Sequence, residues 1–153
     1  MYASQTMVSV DKSRSEIERL LMRHGAQGFA YATEGNSAMI GFRHNNLAYK
    51  IFLPLPEREQ FNRTPKGRKR RYAEDAERAW EQACRSHWRA LGLIVKAKLE
   101  AVALGITTIE KEFAPDLIMG DGRTLYEHTS AAIVAGKVPK ALPYFGPVIE
   151  ASR

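Results

Sequence analysis

A chain of 153 residues, 44% of them hydrophobic and two of them tryptophan, can bury a single-domain core without disulfides or metal, which argues against general disorder. One cysteine, Cys84, excludes an internal disulfide, and no apolar run approaches the ~20 residues of a membrane span. The net charge of +6 is local: residues 58–71 hold seven cations and one anion, and the remainder balances at 16 basic and 16 acidic residues.

In chain order, TMVSV (residues 6–10) is β-prone and reads as an extended arm or edge strand. SRSE follows, with Ser13 and Glu16 at capping-box spacing, so the first helix is expected over about residues 13–24, with Gly25 as its left-handed cap. Three strands come next. GFAYAT, AMIGFR and LAYKIFL alternate apolar and other residues, and the turn formers EGNS and HNN separate them. Short connections make this an antiparallel meander, ended by Pro54 and Pro56.

A long helix is predicted from about residue 72 to 104. Its apolar stripe of Ala76, Trp80, Ala83, Cys84, His87, Leu91, Ile94, Val95, Leu99 and Val102 is suited to covering one sheet face, with Trp80, Leu91 and Ile94 buried. Gly92 marks a bend or a close backbone approach. Thr107 with Glu110 and Thr124 with Glu127 have capping-box spacing for two short helices, with LIM as a brief strand and GDGR as a tight turn between them. The expected fold is α+β: a three- to four-stranded antiparallel meander covered by one long helix, with short N- and C-terminal helices. Residues 1–135 form the domain, and 136–153 form a Pro-rich tail with three prolines in its last fifteen residues.

The basic loop, residues 58–71, is what a docking site for a polyanion requires. Lys66, Arg68, Lys69, Arg70 and Arg71 would make first contacts with phosphates, flanked by Arg63 and Arg78. Phe61 and Tyr72 bracket the loop and are candidates for base stacking, which tolerates any sequence. Arg78, Arg85, Arg89 and Lys96 fall along one side of the long helix, although Glu74 and Glu81 each precede an arginine by four residues and would pair with it. The bland alternative for the loop is a solvated, solubilising segment.

Enzymatic signatures are weak. Cys84 and His87 share a helix face, but a zinc site needs two more ligands and the sequence nominates none; a buried thiol and a hydrogen-bonded histidine under the sheet is the plainer reading. Glu110, Glu112, Asp116 and Asp121 are close enough in sequence for a metal-dependent nuclease, but Glu110 is better explained as a cap partner and Asp121 as a turn residue. MGDGRT reads as a turn, and no phosphate-loop, dinucleotide or nucleophile-elbow motif is present. No catalytic residue, cofactor or metal is expected.

The stretches VSVDKSRSEIERLLMRHGAQGFAYA, IFLPLPE and AWEQACRSHWRALGLIVKAKLEAVALGITTIEKEF resemble small proteins encoded by bacteriophages and prophages, mostly of unassigned function. The order of helix, meander and long crossing helix is similar to the core of single-strand annealing proteins, a fold analogy that implies single-stranded DNA as ligand and a homo-oligomer. The expectation is therefore a non-enzymatic nucleic-acid-binding protein of a recombination or replication system, in the cytoplasm of a bacterial host. The alternative is an interaction module, such as a phage inhibitor of a host or defence enzyme, whose basic loop meets an acidic protein surface.

Overall fold

The structure, a computed structural model, describes residues 2–64, 70 and 72–137. The expected Pro-rich tail, apart from Gly136 and Lys137, lies outside the described residues. The order is α1 (Tyr2–Arg23), β1 (Gly28–Glu34), β2 (Ser37–His44), β3 (Leu47–Pro54), a 3₁₀ turn (Arg58–Phe61), α2 (Ala73–Ala103), α3 (Ile109–Glu112), a second 3₁₀ turn (Ala114–Asp116) and α4 (Leu125–Val134). The α+β architecture and the antiparallel β1-β2-β3 meander match the sequence expectation.

The first helix is longer than expected. Residues 6–10 are helical rather than extended, and Ser13 and Glu16 lie in mid-helix instead of capping it. No glycine or proline interrupts residues 2–23, so once the turn holding Ile17 and Leu21 packs, each added residue gains a backbone bond at little further nucleation cost. That gain outweighs the weak β preference of Val8 and Val10. The helix ends as the sequence predicts. Gly25 has φ 95°, Gly25 N–H donates to Met22 O at 3.2 Å, and Ala26 N–H donates to Leu21 O at 3.0 Å, with both Ala26 and Leu21 buried.

Strand alternation sorts the sheet into two faces. Ala38, Ile40 and Phe42 of β2 and Tyr49, Ile51 and Leu53 of β3 are buried on the inner face. Asn45 and Asn46, both at positive φ (50° and 65°), make the tight β2–β3 hairpin turn. The inner face is covered jointly: α1 contributes Ile17 and Leu21, and α2 contributes Trp88, Leu91, Val95 and Leu99. Packing of α1 along α2 is more extensive than contact of α2 with β3, so the long helix shares the cover it was expected to supply alone.

This sharing revises the expected core. Leu91 is buried, but Ile94 is 53% exposed and Trp80 is half-buried, while Trp88 (2%) takes the central place. Trp88 meets Tyr31 edge-on at 6.4 Å, and Phe113 packs edge-on against Phe42 at 5.3 Å. The expected cap at Thr107 is displaced by one residue: Thr108 Oγ1 accepts from Lys111 N–H, because Ile109 must point into the core. Thr124 caps α4 as expected, accepting from Glu127 N–H. The LIM segment makes two isolated bridges, Tyr49 to Leu117 and Ile118 to Thr124, rather than a fourth strand.

Candidate nucleic-acid interface

The roots of the basic segment are built by α2. Trp80 Nε1–H donates to Pro56 O at 2.7 Å, the Arg58 guanidinium lies 3.8 Å above the Trp80 ring, and Arg58 also pairs with Glu77. Trp80 is thus half-buried because it holds the chain leaving β3. Arg58 contributes to that anchor, and its charge is balanced by Glu77. Arg63 and Arg70 face each other in an isolated antiparallel bridge. Of the expected contact residues, Arg63, Arg70 and Arg78 are described; Lys66, Arg68, Lys69 and Arg71 lie outside the described residues. Tyr72 is 83% exposed just before α2, whereas Phe61 is half-buried in the 3₁₀ turn.

The helix track exists as a geometric feature. Arg78, Arg89 and Lys96 are exposed and Arg85 is half-buried; Arg85, Arg89 and Lys96 lie on the side of α2 that faces α1. Arg85 Nε donates to Gln82 Oε1 at 3.2 Å, and Arg89 Nη2 donates to Ser86 Oγ at 3.2 Å. Glu81, expected as a surface ion-pair partner, is buried. Between the helices runs a groove of about 350 Å³, floored by Ile17, Leu20, Trp88 and Gly92 and rimmed by Ser13, Glu16, Arg89, Leu93 and Lys96. A Cβ on Gly92 would stand 3.8 Å from Ile17 Cγ1, an ordinary contact, so glycine there leaves groove space rather than relieving a clash. Lys12, with Glu16, meets Arg85 and Arg89 in an adjoining hollow of about 260 Å³. Sequence reading missed Lys12, because the approach of α1 to α2 has no local signature.

The alternative chemical sites are not assembled. Cys84 is buried, which pushes its thiol pKa up, whereas His87 is exposed, not under the sheet, with Nδ1 2.7 Å from Ala83 O. Asp121 Oδ1 lies 3.0 Å from His128 Nε2 and accepts Arg123 N–H, and these bonds hold its carboxyl below the usual range. Glu110 is lowered first by a bond to its own backbone N–H, with further help from Asn45 and His44, and burial raises Asp116. Among the described residues no group of three or more His, Cys, Asp or Glu side chains could hold a metal ion, so the four carboxylates of the nuclease alternative do not converge. MGDGRT is a turn, with Gly122 at φ 83° and Gly122 N–H donating to Met119 O. Among the described residues no helix is long and apolar enough to cross a membrane.

The chain matches no family model, no curated protein and no solved structure.

Proposed function

We propose that this is a non-enzymatic nucleic-acid-binding protein of phage or prophage origin, acting in recombination or replication and binding single-stranded DNA through the basic segment. The observation that carries the reading is the concentration of the chain's whole excess charge in residues 58–71. That charge attracts a polyanion by releasing its condensed counterions, whatever the base sequence. Exposed Arg78 and Lys96 of α2 support it, since a strand leaving the basic segment would meet further cations along the helix. Exposed Tyr72 supplies a ring for stacking at the junction.

The test is fluorescence anisotropy with labelled single-stranded DNA, duplex DNA and RNA, starting at low salt. Replacing Arg68, Lys69, Arg70 and Arg71 by alanine is expected to leave folding intact and weaken binding to every sequence. Each lost contact removes about 0.7 from the slope of log K against log salt for a single strand, and about 0.9 for a duplex. Absence of binding by the parent protein to all three would overturn the reading in favour of the interaction module.

A further inference from the structure

Helix α2 carries apolar residues well beyond the face that meets the core. Cys84, Trp88, Leu91, Val95 and Leu99 point inward. On the roughly opposite side, at about 100° per residue, Ala83, Ser86, Ala90, Leu93, Ile94, Ala97, Ala101 and Leu104 fall within an arc of about 100°. Leu93, which also edges the groove against α1, is 69% exposed, Ile94 53% and Leu104 77%, with Ala90 and Ala97 also exposed. A long solvated helix face with three large apolar side chains and alanines between them marks an interaction surface.

We infer that this face docks on the same face of a second copy of the chain, with the two α2 helices antiparallel. A two-fold interface must be complementary to itself. With the dyad between Leu93 and Ile94, Leu93 of one copy meets Ile94 of the other, Ala90 meets Ala97, Ser86 meets Ala101, and Ala83 meets Leu104. The large end residue therefore meets a small one, and the middle layers are small enough for close backbone approach. Charge follows the same symmetry. Arg89 and Glu100 lie on one flank of the stripe, and an antiparallel pair brings like flanks together, so Arg89 of each copy falls within about 3 Å, measured along the axis at 1.5 Å per residue, of Glu100 of the other. On the opposite flank His87 approaches Lys98, whose ammonium already donates to Glu112 O at 2.8 Å. The contact runs for about 33 Å over the 22 residues 83–104. The α2 N-termini, where the basic segments join, would lie about 60 Å apart.

The experiment is sedimentation velocity of the full chain across a concentration series, with circular dichroism as the folding control. The parent protein is expected to dimerise, and Leu93→Glu with Ile94→Glu is expected to weaken the dimer by about a hundredfold or more while leaving the helical signal unchanged. Mild oxidation supplies an independent readout. Ile94→Cys, beside the dyad, should give a disulfide-linked dimer. Ser86→Cys should not, because the dyad places its two copies about 22 Å apart along the axis, far beyond disulfide reach. A protein monomeric at every concentration overturns the inference. So does a dimer insensitive to the glutamate pair, or cross-linking through Ser86→Cys. Binding of a monomer to lipid vesicles that the same glutamates abolish would assign the face to a membrane surface, and equally overturns it.

Discussion

The two tryptophans provide a sharp check on how α2 is oriented. Trp88 is 2% exposed and packs in the shared core, whereas Trp80 is half-buried over Pro56 and Arg58. Truncating Trp88 to alanine removes a fully buried ring and leaves a cavity, at about 3–5 kcal/mol. In a chain of this size that lowers the melting temperature by roughly 6–20 °C, at ~2–4 °C per kcal/mol. Trp80→Ala removes one hydrogen bond of about 1 kcal/mol, a cation–π contact of about 0.5–1 kcal/mol at an exposed site, and part of a ring's burial. The expected total is about 2–3 kcal/mol, smaller than for Trp88. Urea unfolding followed by circular dichroism measures both. Fluorescence adds a direct reading, because the chain has two tryptophans and each Trp→Phe variant reports the other. Trp80→Phe should leave blue-shifted emission from Trp88, and Trp88→Phe should leave red-shifted emission from Trp80. If Trp80→Ala proves the costlier change, or the emission order is reversed, α2 is rotated from the orientation described and Ile94, about 40° from Trp80 around the helix, would belong to the core.

Cys84 is buried with its thiol pKa raised by that burial, so alkylating reagents should label it slowly at neutral pH in the folded protein and rapidly in urea. Cys84→Ala should cost about 1 kcal/mol or more, read by denaturation, and leave nucleic-acid binding unchanged. Asp121 is held below its ordinary carboxyl pKa, chiefly by His128, so its contribution to stability is present above the unfolded value and is lost as pH falls through the lowered folded value. Asp121→Asn should therefore flatten the acid limb of a stability–pH curve below about pH 4; an unchanged limb would show that the pair does not persist in solution.

Much of the architecture is encoded locally. Period-two alternation sets the strand faces, Asn45–Asn46 closes a hairpin by tolerating positive φ, and Gly25 and Thr124 satisfy helix ends through atoms a few residues away. The basic segment is equally local, since counting charges over fourteen residues is enough to find it. Other features depend on chain segments meeting across large separations. Residues 6–10 are helical because they extend a helix whose Val10, Ile17 and Leu21 pack into the core, and the cap falls on Thr108 because Ile109 fills the core. Trp80 leaves the core because its partner, Pro56 O, is 24 residues earlier. Lys12 joins Arg85 and Arg89 for the same reason, as does the shape of the groove beside them. Much of the inward side of α2 was readable in its sequence, since Cys84, Leu91, Val95 and Leu99 of the expected stripe are buried, but the burial of Trp88 and the exposure of Ile94 were not. A helix with apolar residues on two sides has two comparable ways to bury one of them, and the choice fell to α1, which packs beside α2 over the sheet and leaves Leu93, Ile94 and Leu104 in solvent.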